Sequence, residues 1–201
     1  MTGVFINYRT ADQPLGAAAI HDYLARRFGS EQVFRDCVSM GAGADYPDEI
    51  RAALEQADVL VAIVGPKWLS ARDGGARLID RTGDWVRFEI RRALQRGIPV
   101  LPVLLKDTPA DAEPLEAADL PSDINRIAHK QAFEFSHFRF RVDMDRLTER
   151  LAELVPALEV RDDAAASPGP DTVDSRPLAV THLRDVSAHN AVFGVNNGDM
   201  S

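Results

Sequence analysis

The 201-residue chain contains one cysteine, Cys37, so no disulfide can close within it and no zinc site can be built from thiolates. Its five histidines show no metal-ligand spacing, so neither a metal nor a resident cofactor is expected. Basic charge is the minority, with 23 Lys and Arg against 31 Asp and Glu for a net charge of −8. That balance argues against a nucleic-acid partner, because a phosphate backbone is held by clustered cations. A local basic pocket remains compatible with it. No apolar run reaches the length of a membrane span, and no signal peptide is read ahead of the first strand. A cytoplasmic location without a membrane partner is therefore the expectation.

Several catalytic signatures are missing too. There is no G-x-S-x-G and no G-x-x-x-x-G-K-[ST]. "GAGADY" (41–46) begins like a dinucleotide fingerprint, but Tyr46 stands where Gly or Ala is needed. It also falls several residues after its strand, not in the first strand-to-helix turn. Cys37 has no neighbouring histidine and reads as an ordinary thiol.

What is present is an ordinary globular composition, 45% hydrophobic and 27% charged, arranged in alternation. "VFINY" (4–8), "QVFRD" (32–36), "VLVAIVG" (59–65), "PVLPVLL" (99–105) and "AFEF" (132–135) read as strands. Helices are expected over 14–29, 47–58, from Asp84 to Gly97, and over 143–155. Strands apolar on both faces, alternating with helices, indicate an α/β fold with a parallel sheet covered on both sides. The Pro- and acid-rich segment 106–131 suggests irregular structure or a short helix. The domain is expected to occupy 1–156. "RDDAAASPGPDTVDSRP" (161–177) lacks apolar periodicity, so 157–177 reads as a flexible linker. The tail 178–201 then regains Val, Leu and Phe and reads as a docking or self-assembly segment, a possible partner-binding element. Its "AVFGV" is uncharged and β-prone, with Asn196 and Asn197 beside it, which suits stacked strands.

In an open parallel sheet, ligands bind beyond the carboxyl ends of the strands, near the reversal of strand order. Tyr8 and Arg9 follow the first strand, and Arg35, Asp36 and the loop 37–46 follow the second. Pro66, Lys67, Trp68 and Ser70 follow the third, and the next helix opens with Trp85 and Glu89. This mixture of cations, carboxylates and aromatics suits a ligand with phosphates, ribose hydroxyls and flat rings. Each residue also has a plainer reading: Tyr8 and Trp68 as core, Arg9 and Asp36 as a structural bridge. Glu89 lies on the flank of the stripe formed by Val86, Ile90, Ala93 and Leu94, where it could be solvated and paired with Arg92 or Arg96.

"VFINYRTAD" resembles the opening box of Toll/interleukin-1 receptor (TIR) domains. "VFRDCVSMGAGADYPDEIRAALEQADVLVAIVGPKWL" is similar to their second strand, following loop, second helix and third strand, and "WVRFEI" to the W-x-x-x-E pattern of those that cleave NAD. The likeness spans about 1–156; Asn7 departs from it where serine is commoner, and 41–45 has no proline. The resemblance implies a flavodoxin-like three-layer sandwich with five parallel strands. It also implies that Glu89 is the catalytic glutamate, with Trp85 and Trp68 as stacking surfaces and NAD+ as substrate, not cofactor.

The chemistry fits that assignment. Loss of nicotinamide from NAD+ passes through an oxocarbenium-like ribose, which one carboxylate can stabilise. Nicotinamide leaves as a neutral molecule, so no strong general acid is required. Trp85 could wall a flat ring, and the Arg9 guanidinium could meet the pyrophosphate. The products would be ADP-ribose or a cyclic isomer, in immune or stress signalling of the prokaryotic defence kind. The alternative is a non-catalytic adaptor acting through homotypic TIR–TIR self-association.

Overall fold

Four-residue strand β1 (Val4–Asn7) is wholly buried and forms the inner rail on which the rest is laid. The structure, a computed structural model, describes residues 3–35, 46–106 and 112–161. Asp36, the loop residues 37–45 and the tail segment 162–201 lie outside the described residues.

After β1 come helix α1 (Pro14–Phe28), β2 (Val33–Arg35), α2 (Tyr46–Gln56) and β3 (Val59–Val64). A small hairpin, β4 (Arg72–Asp73) with β5 (Ala76–Arg77), interrupts the connection expected to be a plain polar loop. Gly74 and Gly75 make its turn with φ of 58° and 89°. Then follow α3 (Trp85–Arg96), β6 (Val100–Leu105), β7 (Phe133–Phe135) and α4 (Phe140–Leu154). The segment before β7 contains two short 3-10 turns, Ala117–Asp119 and Asn125–His129.

The five long-connection strands form one parallel sheet in the order β2-β1-β3-β6-β7. This is the flavodoxin-like winding, whose direction reverses between β1 and β3. Alternation along each strand assigns its two faces. Val4, Ile6, Val61, Ile63, Val103 and Leu105 point to α1 and α4, where Ile20, Leu24, Phe28, Met144 and Leu147 meet them. Phe5, Leu60, Ala62, Val64 and Leu104 point to α2 and α3, meeting Ile50, Leu54, Val86, Ile90 and Ala93. The period of two in the strands and of 3.6 in the helices therefore produces three layers.

Two of the boundary differences from the sequence reading are explained by tertiary packing. Helix α4 begins at Phe140, three residues before the expected 143, because Phe140 packs edge-on against Tyr23 and Phe135, with ring centroids 6.0 and 5.7 Å away. At the other end the packed chain runs past 156: Leu158 is buried in the α1–α4 core, and the Arg161 amide donates to the Arg27 carbonyl at 2.6 Å. Arg161 also pairs through its side chain with Glu31.

Candidate functional site

At the point where the winding reverses, β1 ends in a polar residue with no exposure at all. The Asn7 side chain donates from Nδ2 to Glu89 Oε2 at 2.7 Å and to the Val86 carbonyl at 3.2 Å. Glu89 is 2% exposed. The solvated reading of Glu89 is thus corrected. Arg92 bonds Glu55 at 2.6 Å, and Arg96 donates to the Leu54 and Ala57 carbonyls at 2.6 and 2.8 Å. The reason is that α3 packs against β1 as well as β3 and β6, which turns the flank of its stripe into an interior position.

Helix α3 is placed by strong local signals. Asp84 is its N-cap, accepting from the Arg87 amide at 3.1 Å, and Gly97 ends it in the left-handed region with φ 72°. The same Asp84 carboxylate accepts a fork from Arg9, with both bonds 2.9 Å long. Arg9 Nε donates to the Trp68 carbonyl at 3.1 Å, and the two side chains of the ion pair are only 4% and 7% exposed. Arg9 therefore ties together the chain after β1, the chain after β3 and the start of α3. The guanidinium expected to meet a pyrophosphate is thus engaged within the protein, at the wall of a cleft. Its partner is Asp84, whereas the sequence reading weighed Asp36, which lies outside the described residues.

Trp68, expected as a stacking surface, is fully buried with Phe5, Ile79 and Ile90 in the core beneath α2 and α3. Trp85 is half-buried, with its ring edge-on to Phe88 at 5.3 Å and the Arg51 guanidinium 6.0 Å from its centroid. Tyr8 is nearly buried, and the Arg35 guanidinium lies 6.0 Å from its ring.

A cleft of about 540 Å³ opens at this end of the sheet, lined by Tyr8, Arg9, Thr10, Asp84, Trp85 and Val86, among others. Glu89 is joined to that wall through Asn7, which bonds both its carboxylate and the Val86 carbonyl. The loop after β1 is fixed by Asp12, whose carboxylate accepts from the Gly65 and Lys67 amides, each at 2.8 Å. Burial raises the Asp12 pKa, against the lowering effect of those two amides and of the Arg9 and Lys67 charges. Three contributors escaped the sequence reading in these roles: Asn7, Asp12 and Asp84. Asn7 left one signal, a polar residue closing an otherwise apolar strand. Among the described residues, no group of His, Cys, Asp or Glu could hold a metal ion, and no helix is long and apolar enough to cross a membrane.

A family model described as TIR domain matches residues 4–139. No curated protein matches the chain. Among solved structures, the chain is similar to one described as the activated Roq1 resistosome directly recognizing the pathogen effector XopQ (TIR domains). The identity is 11% over 75% of this chain and 97% of that one, with a TM-score of 0.48.

Proposed function

This chain belongs to the TIR domain family, and on that basis we propose that it is an NAD+ nucleosidase with Glu89 as its catalytic carboxylate. The observation that carries the reading is the Asn7–Glu89 pair, a carboxylate held at 2.7 Å at the reversal point of the sheet and joined to the wall of the cleft. A carboxylate in that setting stabilises positive charge more strongly than one in bulk water. Asn7 restrains one oxygen and so fixes the direction in which the group acts. The bond between ribose C1′ and the nicotinamide nitrogen breaks, and its electron pair neutralises the pyridinium. Glu89 accepts hydrogen bonds from the ribose hydroxyls as charge grows on the sugar. Water then adds at C1′ and loses a proton, giving ADP-ribose; attack by a group of the same molecule gives a cyclic isomer. Trp85 is the aromatic surface available for a flat ring.

The experiment is incubation of concentrated full-length protein with NAD+, with nicotinamide release followed beside Glu89→Gln. Release by the wild type and its loss in the variant support the reading; intact NAD+ at every concentration rejects it.

A second reading, a non-catalytic adaptor, draws on a different observation. Glu89 is 2% exposed and Trp68 is wholly core, which suits residues retained for packing. The same assay separates the two, since an adaptor leaves NAD+ intact. In either case a role in immune signalling follows from the family likeness, and segment 178–201 is proposed to dock or recruit.

A further inference from the structure

Two of the described residues lining the cleft beside the Asn7–Glu89 pair carry positive charge, Arg9 and Arg81. Their surroundings differ. Arg9 is 4% exposed, and its guanidinium is committed to Asp84 and to the Trp68 carbonyl. The Arg81 side chain is 41% exposed, and that of its partner Asp73 is 68% exposed. Arg81 donates from Nη1 to Asp73 Oδ2 at 2.5 Å and from Nη2 to the Asp73 carbonyl. An ion pair this open to water is weakly held and can exchange its partner.

Asp73 stands in β4, beside the turn made by Gly74 and Gly75. The hairpin is framed without Arg81. Arg72 donates across the turn to the Gly75 carbonyl at 2.8 Å. Arg77 ties β5 to Asp80 at 2.7 Å and to the Asp119 carbonyl at 3.0 Å. The fold therefore does not depend on the Arg81–Asp73 pair, and a half-exposed guanidinium is left at the cleft for another acceptor. Half-buried Trp85 lines the same cleft. The Asp84 carboxylate on that wall does not repel an anion, because the Arg9 fork neutralises it.

We propose that Arg81 is the phosphate-binding residue of this cleft, exchanging Asp73 for the diphosphate of a nucleotide whose flat ring rests on Trp85. A planar guanidinium fork matches two phosphate oxygens as well as it matches a carboxylate. The diphosphate carries more charge than the Asp73 side chain and is held in the cleft by the rest of the nucleotide, so it displaces the carboxylate. On a chain of net charge −8, an anionic ligand needs such a local cation. In the absence of ligand, Asp73 keeps the guanidinium beside the cleft. The inference rests on the nucleosidase reading for the identity of the nucleotide, NAD+, and not for the exchange itself.

The test is calorimetric titration of the full-length chain with ADP, adenosine 2′-phosphate and adenosine, repeated with Arg81→Ala and with Asp73→Asn. Thermal unfolding checks that each variant stays folded. The expected result is that Arg81→Ala weakens ADP binding by about tenfold or more, while Asp73→Asn tightens it by removing the competing charge. Neither variant should change adenosine binding, and Arg81→Ala should reduce the salt dependence of ADP binding. A wild type that does not bind ADP, or equal ADP affinity in wild type and Arg81→Ala, would overturn the inference. So would a loss for adenosine 2′-phosphate without a loss for ADP, which places a ribose phosphate at Arg81 instead of the diphosphate. A loss as large for adenosine as for ADP would mark a structural role and overturn it as well. Nicotinamide release from NAD+ is measured on the same samples. ADP affinity that depends on Arg81 in a chain that leaves NAD+ intact rejects the nucleosidase reading and supports this one.

Discussion

Asn7 and Glu89 are 82 positions apart in the chain and 2.7 Å apart in the fold, and both are buried. A buried carboxylate that loses such a donor keeps its desolvation penalty. Asn7→Leu should therefore lower stability by about 1.5–3 kcal/mol, the usual range for a hydrogen bond to a charged group. Urea unfolding measures this, and an unchanged midpoint would mean that Glu89 is satisfied without Asn7.

Glu89→Gln keeps the shape and an oxygen that can accept from Asn7 but removes the charge. On the proposed mechanism, NAD+ cleavage should fall by roughly a hundredfold or more, about 3 kcal/mol of transition-state stabilisation, while the unfolding midpoint moves little. Initial rates of nicotinamide release decide it. Near-normal turnover removes Glu89 from the chemistry.

The Arg9–Asp84 fork is a buried ion pair that joins three chain segments. Arg9→Ala should cost about 3–5 kcal/mol, because it strands the Asp84 charge. Asp84→Ala should cost a similar amount plus about 1 kcal/mol for the lost helix cap. The double variant should lose less than the sum of the two. Strict additivity in a double-mutant cycle would show that the pair is not coupled.

At Gly65 the missing Cβ makes room for a neighbour. A Cβ there would come within 2.4 Å of Gln13 Cγ and 2.6 Å of Asp12 Oδ2. Asp12 cannot retreat without giving up the Gly65 and Lys67 amides. Gly65→Ala should lower stability by about 1–3 kcal/mol, as overpacking does. A neutral outcome in thermal unfolding would show that the turn after β1 can shift.

Asp12 also gives a pH signature. Burial raises its folded-state pKa, so the native state favours the protonated form more than the unfolded chain does. The stability tied to this proton is present in full below the ordinary carboxylate value of 3.8 and is lost as pH rises through the raised one. Asp12→Asn does not titrate. The advantage of wild type over Asp12→Asn should therefore shrink over the pH window that starts near 3.8 and runs up through the raised value. Urea midpoints of the two proteins across that window measure the trend, and a widening gap would contradict the assigned direction.

Much of the fold was legible locally. The uninterrupted apolar run "VLVAIVG", the Asp84 cap and the Gly97 stop each describe neighbours in sequence, and the structure follows them. Burial on both faces of β3 and β6 required helices on both sides, and the parallel order followed from the intervening helices. The start of α4 was misread because Phe140 belongs to the helix through two aromatic contacts, with Tyr23 and Phe135, that no local pattern encodes. The candidate site divides in the same way. The sequence alone brought Tyr8, Arg9, Trp68, Trp85 and Glu89 to one end of the sheet, because the carboxyl ends of parallel strands share an edge. Only the tertiary structure sent Trp68 into the core, turned the Arg9 fork onto Asp84 and buried Glu89 against Asn7. Periodicity tells which face of an element is apolar. It does not tell which other element meets the flank of that face, and a polar group's partner, and hence its role, is set by that meeting.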